Sequence, residues 1–202
     1  MPPFGPARIG PVPMRQKKRQ KKGHNMRKVK VWDPIIRLLH WSVVLTFVAN
    51  AWAIDDESKL HQQVGWLIVA LLGLRVLWGL VGTQHARFSD FPPSIPAAMR
   101  QMQDIATGRL HHHIGHSPLG AWMIYALLLG LAGLCATGVM MTTDRFWGIG
   151  WVEEIHEALM VVTAVAACVH VAAVVIESRR TGVNLPRAMI TGTKVMPHDD
   201  AR

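Results

Sequence analysis

The stretch EEIHEALMVVTAVAACVHVAAVVIE, residues 153–177, decides the fold. Between its acidic ends it is apolar apart from a few side chains. It is long enough to cross a bilayer, which takes about 20 residues of helix. Two histidines interrupt it, His156 and His170. Fourteen residues separate them. That is close to four helical turns, so both rings leave one helix face roughly 21 Å apart along the axis. An ionisable side chain in lipid is costly unless it has a task, and imidazole is a common ligand of haem iron. The stretch therefore reads as a transmembrane helix offering one ligand at each of two depths.

Working outward, three more segments are long and apolar enough to span: residues 35–54, 64–82 and 118–141, with 156–177 as the fourth. Of the 202 residues, 50% are hydrophobic and only 17% charged, yet the formal net charge is +9. High apolarity with high basicity implies a membrane protein whose charge is packed into its flanks. The two cysteines, Cys135 and Cys168, lie inside apolar segments, which excludes a disulfide framework. No Cys-x-x-Cys-His occurs, so a haem here is of b type, without covalent attachment. The basic amino-terminal run leads into a full-length span with no small-residue cleavage site, unlike a cleaved signal peptide.

Lysine and arginine set the orientation. They crowd the segment before His40, from Arg8 to Arg37. The middle connection carries Arg87, Arg100 and Arg109, and the C-terminal segment Arg179, Arg180, Arg187, Lys194 and Arg202. The other two connections carry Lys59 and Arg145 against Asp55, Asp56, Glu57, Asp144, Glu153 and Glu154. Both termini and the middle connection are therefore expected in the cytoplasm, and the two acidic loops outside. Short connections between spans one and two, and three and four, favour antiparallel neighbours. The expected fold is all-α, an integral membrane four-helix bundle with up-down-up-down topology enclosing two b haems. It occupies residues 30–193, between a tail at 1–29 and a cytoplasmic tail at 194–202.

Residues 1–29 are Pro-rich and then Lys/Arg-rich, and read as a disordered basic tail. The run RQKKRQKK at 15–22 suits anionic lipid head groups. No aromatic residue is interleaved with it, and no nucleic-acid partner is expected. Met26 is an alternative start, just before the first orderly segment. Asp33 and Pro34 read as a cap and first helical position. Residues 96–108 suit a short surface helix, and Gly115-His116-Ser117-Pro118 marks the start of the third span, with His116 as its cap. Trp147 and Trp151 read as interfacial anchors. Gly65, Gly73, Gly130, Gly133 and Gly138 are expected at points of close helix or haem approach.

Depth pairs the histidines. His40 on the first span and His170 on the fourth both lie toward the cytoplasmic side. His61 at the start of the second and His156 on the fourth both lie toward the outer side. A haem takes one ligand on each side of its plane, so the fourth span serves both haems. Ligation by two imidazoles fills both axial positions, which favours electron transfer over binding at iron. Arg75 lies fourteen residues after His61, on its face and near the level of the inner haem. A haem propionate is a fitting anion for it, with extension to the surface as the competing role. Arg37, nearer the surface, has the same two roles open. His111, His112, His113 and His116 have no cysteine or carboxylate array nearby in sequence and are expected to be solvated rather than a metal site.

Trp32-Asp33-Pro34 with Arg37-x-x-His40-Trp41 resembles the opening of the bacterial cytochrome b561 and nickel–iron hydrogenase cytochrome b family. So do His61-x-x-x-Gly65, Arg75-x-x-Trp78-Gly79-x-x-Gly82, Ala86-Arg87-Phe88 and Gly115-His116-Ser117-Pro118-Leu119-Gly120. Glu154-x-His156 and His170 resemble the family's fourth helix, and the likeness covers residues 29–193. It implies a four-helix inner-membrane electron carrier of respiratory type, with two b haems on these four histidines. Members exchange electrons with quinone, anchor hydrogenases or serve other periplasmic oxidoreductases, and one branch oxidises superoxide. The acidic outer loops steer an anionic substrate poorly and a basic partner, such as a small c-type cytochrome, well. The expected function is thus electron transfer between the quinone pool or another donor and a periplasmic redox protein. The alternatives are a membrane-anchor cytochrome subunit of a hydrogenase-like oxidoreductase, and a proton-coupled transporter without haem. Few acidic residues lie within the spans, which counts against the transporter.

Overall fold

The computed structural model describes residues 26–197. The basic run at 15–22 lies outside the described residues. Strand β1 (Met26–Lys30) leads into α1 (Pro34–Trp52) and α2 (Lys59–Val81). A 3₁₀ turn at Phe88–Asp90 and helix α3 (Ile95–Ala106) fill the middle connection. Then follow α4 (Pro118–Met141), α5 (Gly150–Thr181), α6 (Leu185–Thr191) and β2 (Thr193–Pro197). Helices α1, α2, α4 and α5 are each long and apolar enough to cross a membrane. Only 6–17% of the residues in their most apolar windows are buried inside the protein. Such outward apolarity belongs to helices whose remaining surface meets lipid.

The helix starts follow local chemistry. Asp33 caps α1, its Oδ1 accepting from the backbone N–H of Ile35 (2.8 Å) and Ile36 (3.0 Å), with Pro34 at the first position. Its other oxygen accepts from Trp78 Nε1 (3.2 Å) and Thr83 Oγ1 (2.6 Å). One carboxylate thus ties the start of α1 to the end of α2. Burial alone raises the pKa of Asp33, but these hydrogen bonds outweigh it and hold the carboxyl below its ordinary value. Ser58 caps α2 by accepting from the His61 N–H (3.1 Å). Ser117, not His116, caps α4, accepting from the Gly120 N–H (3.2 Å). Gln101 of α3 takes the Leu119 N–H (2.9 Å), which fastens α3 to the start of α4.

Helix α5 has 32 residues and runs beyond the expected 156–177 at both ends. At about 48 Å it exceeds the roughly 30 Å hydrocarbon layer. It stops at Gly182, which adopts a left-handed conformation (φ 70°) that favours glycine. Helix α1 packs on α2, α2 on α4, and α4 on α5, whereas α5 makes no comparable backbone approach to α1 or α2. The α4–α5 seam depends on small residues. A Cβ on Gly130 would lie 2.5 Å from Thr163 Oγ1, and one on Gly133 3.0 Å from Leu159 Cδ1. Gly65 and Gly73 are different: no neighbouring atom lies within 4 Å of a Cβ there, so they are not helix-contact points.

The two ends of the described region form a cap that the sequence did not announce. Strands β1 and β2 pair antiparallel, with Lys28 opposite Val195. The expected tail boundary after residue 29 therefore falls within a strand, and so does the one before residue 194. The N–H groups of Val31 and Trp32 both reach Gly192 O, at 2.9 and 3.1 Å. Val31, Trp32, Ile36, Ala86 and Ala188 form the small core beneath. Lys194 is buried there and donates to the carbonyls of His113 (3.1 Å) and Gly115 (2.9 Å). Burial lowers its pKa to about 8, partly countered by Glu177.

Candidate functional site

His40 lies on α1, His61 on α2, and His156 and His170 on α5. All four are half-buried. His40 and His170 are within electrostatic reach of each other. His61 and His156 form a second such neighbouring pair. The helices that bear each pair are those without close backbone packing, while α1–α2 and α4–α5 are packed directly. Packed helices sit 8–10 Å apart, and α5 is not packed in this way along α1 or α2.

The site residues leave polar atoms without protein partners. His40 Nδ1, His61 Nδ1 and Arg75 Nη1 are buried with no hydrogen bond. Buried polar groups are nearly always paired, and the unpaired Arg75 donor points to an anion that binds beside it. His156 is treated differently: its Nδ1 lies 2.8 Å from Thr137 Oγ1 on α4. The guanidinium of Arg75 lies over the Phe88 ring, 4.9 Å from its centroid. Arg37 turns toward the cap, where it donates through Nη1 to Ile190 O and through Nε to Asp33 O (3.4 Å). Among the described residues, no three His, Cys, Asp or Glu side chains cluster to hold a metal ion by themselves. Paired imidazoles on separate helices, and an arginine with a free buried donor, fit a haem and its propionate.

The four histidines of the middle connection do not behave alike. His111 is exposed and lies 3.4 Å from Asp104 Oδ2. His112 Nε2 lies 3.1 Å from Thr181 O. His113 is half-buried, and burial followed by the charge of Lys194 lowers its pKa. His116 is held between the rings of Trp32 (4.6 Å) and Phe91 (4.3 Å), with Nδ1 unpartnered. The expectation of four solvated histidines fails for His116 because its ring neighbours come from distant parts of the sequence. Lys194 and Thr137 were also missed. The signal for Thr137 was present, as a hydroxyl beside Gly138 on a span facing the one that carries His156.

Among known proteins, the family model for prokaryotic cytochrome b561 matches residues 31–192. No curated protein matches, and no solved structure does. The match takes in all four spans, all four histidines, and the Asp33 and Arg75 contacts that brace them. The chain therefore belongs to the prokaryotic cytochrome b561 family, the multi-pass membrane b-type cytochromes that carry electrons.

Proposed function

We propose that this protein is a two-haem electron carrier of the bacterial inner membrane, with both termini in the cytoplasm. His40 and His170 ligate the inner haem, and His61 and His156 the outer one. The observation that carries the proposal is the placement of the four histidines, two on α5 fourteen residues apart and one each on α1 and α2, together with the buried, unpartnered Nη1 of Arg75. Haem supplies a reversible one-electron couple when bound. The chain's own residues do the rest. Two imidazoles would hold each haem, which would leave its iron to electron transfer rather than to substrate binding. Arg75, with its free buried Nη1, neutralises a propionate that would otherwise be an unpaired charge in a poorly solvated site. The apolar faces of α1, α2, α4 and α5 keep water from the electron path.

Electrons pass between the quinone pool, or another donor, and a redox protein on the outer side. Asp55, Asp56, Glu57, Asp144, Glu153 and Glu154 are all exposed. They suit a basic partner such as a small c-type cytochrome, with association that weakens as salt rises.

Ligand substitutions test the assignment. His40→Ala and His170→Ala should each remove the same haem, and His61→Ala and His156→Ala the other, as read from pyridine haemochrome content and the reduced spectrum. Retention of both haems by His170→Ala would contradict the pairing.

A further inference from the structure

We infer that Thr137 is a positioning residue: it fixes the tautomer and orientation of the His156 imidazole and thereby lowers the potential of the haem held by His61 and His156. This rests on the two-haem assignment above. A threonine hydroxyl has one proton and two lone pairs. The Thr137 proton goes to the backbone of α4, where Oγ1 is 2.9 Å from Gly133 O and 3.2 Å from Leu134 O. The 2.8 Å contact with His156 Nδ1 must then be one in which the ring donates. In a neutral imidazole with its proton on Nδ1, the free lone pair is on Nε2, ready for iron.

The arrangement is built into the seam. Thr137 is buried, so its hydroxyl does not trade this bond for water. The neighbouring Gly138 lets the ring lie against α4, since a Cβ there would already stand 3.4 Å from His156 Cε1. A hydroxyl that donates to a carbonyl becomes a better acceptor. A hydrogen bond from the far nitrogen fixes a metal-bound imidazole and raises its basicity. A more basic ligand favours the ferric state and so lowers the potential. His40 and His61 have no protein partner at Nδ1. The bond therefore makes the two haems unequal.

The test compares the full-length wild type, Thr137→Val and Thr137→Ser in detergent, by haem content, redox titration, and EPR of the oxidised low-spin haems. Thr137→Val should keep two haems, with one midpoint potential raised and its EPR lines moved while the other haem stays as it was. Thr137→Ser should restore the wild-type values. Loss of one haem in Thr137→Val with recovery in Thr137→Ser also supports the inference, and loss in both overturns it. Unchanged potentials and EPR lines in Thr137→Val overturn it as well. Nitrogen-15 NMR of the purified, reduced wild type separates this inference from the haem assignment. A His156 Nδ1–H resonance that shifts in Thr137→Val supports the bond whether or not haem is present, and an unchanged resonance or a proton on Nε2 overturns it. A wild type without haem contradicts the assignment alone.

Discussion

His116 has a pH consequence at the scale of a single residue. Burial, and after it the electrostatic influence of Lys194, Arg75 and His85, lowers its pKa from 6.5 to about 3. Below pH 6.5 the unfolded chain takes up a proton that the folded chain refuses until about pH 3. Stability is therefore highest above pH 6.5 and falls as the pH drops toward 3. Thermal melts in detergent should show this loss, and His116→Phe should flatten part of it. An identical acid slope in the variant would contradict the account. None of this was legible from the middle connection alone. Its four histidines look equivalent in sequence, and only the folded chain brings Trp32 and Phe91 to one of them. The ligand histidines were legible because lipid makes any ionisable side chain conspicuous.

The α4–α5 seam is where one substitution tests a whole element. The hydroxyl of Thr163 fills the space that a side chain on Gly130 would need. Gly130→Leu should push α4 from α5 and displace Thr137 from His156, at a cost of about 1–3 kcal/mol for overpacking. Its readouts are a lower melting temperature and weaker binding of the haem on His61 and His156. Unchanged values would mean that the seam is looser than the structure implies. The spans themselves were readable because a helix that stays apolar over a bilayer's thickness is rarely stable in water. Their ends were less so: α5 continues past its apolar stretch because Gly150, Trp151 and Arg179 can remain helical beyond the hydrocarbon layer. Strands β1 and β2 left little trace, since three of the five residues of MRKVK are basic and its partner lies far along the sequence.

On the scale of the whole molecule, α5 is the shared wall of the two proposed sites, and the cap ties β1 to β2. The short connections fix α1 to α2 and α4 to α5 as antiparallel pairs, and α2 joins one pair to the other through α4. Helix α5 has no comparably close backbone packing on α1 or α2. The most direct test is the haem-to-protein ratio of the purified chain, with its reduced-minus-oxidised spectrum. The account predicts two b haems per chain. A ratio of one would contradict one of the histidine pairs, and a chain without haem, from cells supplied with it, would contradict the account as a whole.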